Sequence, residues 1–138
     1  MAKDFYHIIV RDALEKDGWT ITDDPLTLLT REEGGIQTDL GAEKIIVAER
    51  GATKIAVEVK SFLNPSLIHD FIRAIGQFQA YSIVMRKKNI DRRMYIAMPW
   101  FIYDRLSEFQ FIQDIIQEAQ IKLILFNPNT TSIESWIE

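Results

Sequence analysis

The chain has 138 residues, 47% hydrophobic and 26% charged, with a formal net charge of −4 and no cysteine. That composition excludes an intrinsically disordered chain, a disulfide scaffold and a zinc knuckle, and no apolar run approaches the roughly 20 residues that span a bilayer. The negative balance argues against a nonspecific DNA coat, although an acidic metal site becomes less negative once its cation binds.

The first residues, Met1 to His7, lack the layout of a signal peptide because Asp4 and His7 interrupt them, so a cytoplasmic protein is expected. Lys3 to about Asp17 predicts a helix with Tyr6, Ile9, Val10, Ala13 and Leu14 on one apolar stripe, stopped by Gly18. Asp24-Pro25 marks a turn, and Leu26 to Thr30 suits a short strand. Glu32 to Gly35 reads as a loop leading into Ile36 to Leu40. Lys44 to Arg50 and Thr53 to Ser61 then form a hairpin around Gly51-Ala52.

Asn64-Pro65-Ser66 starts a helix, capped by Ser66 or Asn64, that runs to about Arg86. Arg93 to Met98 is a strand ended by Pro99. One amphipathic helix fits Asp104 to about Ala119, followed by a strand from Ile121 to Phe126. Asn127-Pro128-Asn129 makes a turn before an edge strand from Ser132 to Ile137. With no repeat or linker, residues 1–138 read as a single domain. Its fold class is α/β in the broad sense, an α+β mixed sheet flanked by helices.

The chemistry-bearing segment is the second hairpin strand. Ile55, Val57 and Val59 face one way and Ala56, Glu58 and Lys60 the other, so an acid and an amine leave the same face. Hydrolysing a phosphodiester needs an activated water and a cation that neutralises charge on the phosphate. Mg²⁺ suits that role, with Mn²⁺ as the alternative, because hard cations take oxygen ligands. A neighbouring lysine orients the water or stabilises the transition-state charge. The bland alternative for this triplet is a surface ion pair on an exposed strand.

This arrangement resembles the PD-(D/E)xK superfamily of restriction-endonuclease-like nucleases, which implies that fold core and a metal-dependent phosphodiesterase site for DNA. The resemblance makes Asp39 the first acid and Val57-Glu58-Val59-Lys60 the second element, with Thr38 standing where a proline often precedes the acid. Hairpin register puts Glu58 opposite Ile45 and Lys60 opposite Glu43, leaving Asp39 beyond Lys60. Either a bulge near Gly41 returns Asp39 to the site, or Glu43 shares or takes the metal role. Asp39, Glu43 and Glu58 are thus the candidate metal ligands.

Gln77 and Tyr81 match a Gln-xxx-Tyr pattern of RecB-like members of that superfamily, which implies that Gln77 holds the site or the scissile strand and Tyr81 braces it. The long helix is apolar over most of its circumference, and Asp70, Arg73 and Gln77 share one polar strip edged by Tyr81. Asp4, His7, Arg11 and Glu15 line the polar edge of the first helix. Many superfamily members place an acid there, so Asp4, Glu15 and His7 are outer-sphere candidates together with Arg73. His7 alone reads more simply as a hydrogen-bonded helix histidine, and Tyr81 reads equally well as core. Lys87, Lys88, Arg92 and Arg93 belong to a basic run that is either a solvated loop or a DNA phosphate clamp. Trp19, Trp100 and Trp136 read as core or edge packing, and His69 as solvent-facing.

Over its whole length the sequence also resembles the XisH family, controlling factors for excision of the fdxN element. The resemblance is carried by Asp12 to Trp19, Asp24-Pro25-Leu26, Asp39 to Lys44 and Ala56 to Phe62, and loosens after about Ile90. It implies a role in programmed DNA rearrangement beside a site-specific recombinase and a small XisI-type partner. A double-strand cut would need two copies of the site, so a homodimer or a heteromer with such a partner is expected. The rival expectation is the same fold without catalysis, as a regulatory subunit binding DNA or that partner.

Overall fold

The computed structural model describes residues 2–26 and 45–138, with the backbone alone at 2–4 and 24–26. Asp39, Glu43 and the strand expected at 36–40 lie outside the described residues, as do residues 27–30.

The apolar stripe of the first segment forms helix α1 (Ala2–Lys16), which buries Ile9, Val10, Ala13 and Leu14. The chain leaves it through Gly18 at φ 90°, a conformation glycine adopts without strain. Strand β1 (Thr20–Leu26) runs straight through Asp24-Pro25, where the sequence pattern predicts a turn. Proline cannot donate to a ladder, but β1 is the outermost described strand, and its register slips between Ile21 and Asp23 and between Asp23 and Leu26. An irregular edge tolerates proline in this way.

Strands β2 (Ile45–Arg50) and β3 (Thr53–Val59) form the expected hairpin, with Ile45 opposite Glu58 and Gly51 at φ 61° in the turn. Helix α2 (Leu67–Lys87) then crosses over, so that β4 (Arg93–Pro99) lies parallel to β3. Ser66 caps α2 by accepting a bond from the His69 N–H at 3.1 Å. β5 (Leu123–Asn127) continues parallel to β4, and β6 (Ser132–Ile137) closes the other edge antiparallel. Among the described residues the result is a six-stranded mixed sheet in the order β1-β2-β3-β4-β5-β6.

The single helix expected over 104–119 is two: α3 (Trp100–Leu106) and α4 (Gln110–Glu118). Between them Phe109 is extended at φ −96°, ψ 120°. The Ser107 hydroxyl donates to the Asp104 carbonyl at 3.1 Å, and the Gln113 side-chain amide donates to the Ser107 carbonyl at 2.6 Å. These local bonds satisfy the exposed backbone at the break. Leu106 and Ile112 stay buried on either side of it, so the apolar period reads unbroken through the corner.

Strand alternation divides the core into two layers. Ile45, Ala56, Met94, Ile96, Met98 and Leu123 pack under α2, α3 and α4. Ile46, Ala48, Ile55, Val57, Ala97 and Ile124 pack under α1 on the opposite face. Trp19 and Trp136 stack near the sheet edge with ring centroids 5.7 Å apart, as core and edge packing predicts. Trp100 departs from that expectation and is exposed. Among the described residues no helix is long and apolar enough to cross a membrane.

Candidate functional site

β3 alternation aims Ala56, Glu58 and Lys60 at the underside of α2. Glu58 lies inside the sheet, between Ile45 of β2 and Ile96 of β4, and its side chain has 0% exposure. Lys60 stands just past the strand's end, kept in line by its own N–H, which donates to the Ala97 carbonyl at 2.9 Å. Its Nζ lies 3.1 Å from Glu58 Oε1, with the Lys60 side chain 18% exposed. The same Nζ donates a short hydrogen bond to Gln77 Oε1. Gln77 is 8% exposed and Tyr81, one turn later on α2, is fully buried.

The structure therefore brings together Glu58, Lys60 and Gln77, with Tyr81 buried on the same helix. Taking a carboxylate out of water costs several kcal/mol, which a hydrogen-bonded ammonium partner offsets in part. The bland alternative for Glu58-Val59-Lys60, a pair on an exposed strand, does not occur, because the sheet and α2 enclose the two side chains.

Among the described residues no group of three or more His, Cys, Asp or Glu side chains stands close enough to hold a metal. The donors that do converge on Lys60 are oxygens: the Glu58 carboxylate and the Gln77 amide carbonyl. That donor chemistry fits a hard cation such as Mg²⁺ or Mn²⁺, which binds through one or two carboxylates and retains water. Glu58 fits as one anchor of such a site, and the other expected ligands, Asp39 and Glu43, lie outside the described residues.

Beside the pair, at the carboxyl end of β3, a cleft of about 290 Å³ opens between the 61–64 segment and the first turns of α2. Val59, Lys60, Phe62, Asn64, Asp70 and Arg73 are among its lining residues. Within it the Asn64 backbone N–H and side-chain amide both donate to the Asp70 carboxylate, at 3.3 and 2.8 Å.

A model of the family described as XisH protein matches residues 1–134. The chain belongs to the XisH family. A crystal structure of an XisH family protein from Nostoc punctiforme PCC 73102 is 38% identical, with TM-score 0.83, covering 98% of this chain and 100% of that one. The structure of an fdxN element excision controlling factor protein from Anabaena variabilis is 40% identical, also at TM-score 0.83, covering 98% and 99%. Comparison with curated proteins finds no match.

In this XisH family member the remaining sequence candidates stand apart from the pair. α1 packs on the sheet face opposite the one from which Glu58 and Lys60 project, with His7 half-buried and Glu15 exposed. The side chain of Asp4 lies outside the described residues. The basic run sits at the far end of the strands: Arg93 pairs with Ile55 rather than with Glu58, about 10 Å away along the sheet. There Lys87 is exposed, Lys88 caps α2 through its N–H, and Arg92 lies 3.6 Å from Glu49.

The sequence pattern places Asp70 and Arg73 on a polar strip but does not reveal the cleft they share with Lys60. Asn64-Pro65-Ser66 reads there only as a helix start. The signal that could have found the cleft is a side-chain donor at Asn64 ahead of an acid in the first turn of the helix. Phe62 carries no signal at all: it takes φ 56° with its ring buried, which no pattern in the sequence announces.

Proposed function

We propose that this chain is a Mg²⁺-dependent DNA endonuclease-like protein acting in the programmed excision of a DNA element. The observation that carries this reading is the buried Glu58–Lys60 pair, with Gln77 of α2 bonded to the same ammonium. A buried ion pair adds little to stability compared with apolar residues of the same size, so its presence at a cleft calls for a chemical role. The excision-factor name of the Anabaena variabilis relative supports a task on DNA. The pair's two-residue spacing on a strand supports the resemblance to PD-(D/E)xK nucleases.

On this reading Glu58, together with Asp39 or Glu43, would hold the cation. Bound Mg²⁺ supplies charge neutralisation at the phosphate and a more acidic water. Lys60 would orient the attacking water or donate to a phosphate oxygen through its ammonium. Gln77 accepts from Lys60 and so fixes the amine in place. Tyr81 braces the helix from the core. Burial of Glu58 removes competing bulk water, which strengthens each of these electrostatic contacts.

Two observations favour a second reading, a catalytically inactive subunit that binds DNA or a XisI-type protein. They are the net charge of −4 and the distance of the Arg93 end from the pair. Plasmid nicking separates the two. The purified protein should relax supercoiled DNA in Mg²⁺ and lose that activity as Lys60→Ala. Intact plasmid in Mg²⁺ and Mn²⁺, with and without a XisI-type partner, overturns the enzymatic reading in favour of the regulatory one.

A further inference from the structure

We infer that an aromatic cleft at the carboxyl ends of β4 and β5 is a stacking subsite for an unpaired nucleobase, so that the DNA this chain takes is single-stranded or locally melted. The inference deepens the proposed action on DNA and rests on that reading for the class of its ligand.

Shape and chemistry come first. Among the described residues the cleft is lined by Phe5 and Tyr6 of α1, Trp100 and Phe101 of α3, and Pro128 and Asn129 after β5. Its volume, about 510 Å³, lies within the range of small-molecule sites, roughly 300–1,000 Å³. Single apolar side chains at a surface are ordinary, but here four aromatic rings converge, with Phe5 59% and Trp100 39% exposed. A flat ligand with two π faces fits such walls, and every base has them. Asn129 brings an amide, donor and acceptor together, for a base edge.

Position ties the cleft to the Glu58–Lys60 pair. β3, β4 and β5 run parallel, and open parallel sheets bind ligands outside their carboxyl ends. The Lys60 N–H meets the Ala97 carbonyl at 2.9 Å, and Trp100 follows Ala97 by three residues, a span of at most about 10 Å. α1 packs on one face of the sheet and α3 on the other, so the cleft crosses the sheet's end beside the pair. A strand engaged at Lys60 reaches it within the ~4–16 nucleotides that single-strand sites span.

The walls are also preformed. Tyr6 packs edge-on against Phe126 at 5.7 Å, and Asn127 Oδ1 accepts from the Asn129 and Thr130 N–H groups at 2.9 and 3.3 Å. A fixed wall lowers the ordering cost of holding a flexible strand. On a chain of net charge −4, affinity through phosphate neutralisation is weak, and stacking is the contribution that does not need it. In a duplex both faces of each base are already stacked, so only an unpaired base can enter.

The test titrates the full chain, in Ca²⁺ to hold off cleavage, with an oligothymidylate of about 12 nucleotides, an abasic strand of the same length and a matching duplex. The wild type should bind the oligothymidylate about tenfold or more tighter than the abasic strand, and tighter than the duplex, with quenched tryptophan fluorescence. Trp100→Ala should lose that preference at low and high salt alike, since stacking releases no counterions. Trp100→Phe should keep most of the affinity and lose most of the quenching. Phe5→Ala, on the opposite wall, should repeat the loss and stands in if Trp100→Ala fails thermal unfolding as a folding control. Equal wild-type affinity for the base-bearing and abasic strands, or equal oligothymidylate affinity in folded Trp100→Ala, overturns the subsite. Self-association that Trp100→Ala abolishes, without base-dependent binding, assigns the cleft to a second copy and overturns it too. If base-dependent binding runs through Trp100 and plasmid stays intact, the subsite stands and the enzymatic reading falls.

Discussion

Lys60 places its ammonium 3.1 Å from the Glu58 carboxylate beneath α2, so an acid and an amine two residues apart on a strand meet inside the molecule rather than in solvent. Removing one partner of a buried pair leaves an uncompensated charge, which costs more than the pair contributes. Lys60→Met should therefore destabilise the protein by about 3 kcal/mol in urea unfolding. Glu58→Leu/Lys60→Met, which removes both charges, should recover most of that loss. Equal midpoints for the single variant and the wild type would contradict the enclosure of the pair.

Two glycines should respond with opposite signs. Gly51 holds φ 61° in the β2–β3 turn with open space where a methyl would stand, so Gly51→Ala meets only backbone strain and should lose about 1 kcal/mol. Gly76 lies inside α2, again with open space around an added Cβ. Gly76→Ala should gain about 0.5–1 kcal/mol from helix propensity. Thermal melts of the two variants check both.

Tyr95 provides the pH prediction. Burial and the hydrogen bond to the Glu138 carboxylate push its phenol up to about 12. In the unfolded chain the phenol ionises near 10, so the folded state holds its proton more tightly. The resulting stability is complete below about pH 10 and is lost as pH rises from there towards 12. Tyr95→Phe should flatten that alkaline fall in a urea midpoint-versus-pH series. An unchanged slope would contradict the assignment.

What the sequence disclosed follows from how local each feature is. The hairpin register, with Ile45 opposite Glu58, follows from Gly51-Ala52 and strand period alone. The α2 cap at Ser66 and the helix stop at Gly18 are likewise written in adjacent residues. The break at Ser107 to Phe109 was hidden because Leu106 and Ile112 keep a helical apolar period across a corner that side-chain bonds stabilise. β1 passes Pro25 because it is the outermost described strand, a fact of tertiary order and not of the dipeptide. At the site, the shared face of Glu58 and Lys60 was legible. Their closure by Gln77 is a contact across 17 positions that only the fold supplies.

The most direct measurement of the central claim compares Mg²⁺-dependent plasmid cleavage by the wild type and by Glu58→Leu/Lys60→Met. Both should be folded, since the double variant removes both charges of the buried pair together. The account predicts cleavage by the wild type and none by the double variant at matched stability. Undiminished cleavage by a folded double variant would contradict it, because the reaction would then owe nothing to the carboxylate and amine beneath α2.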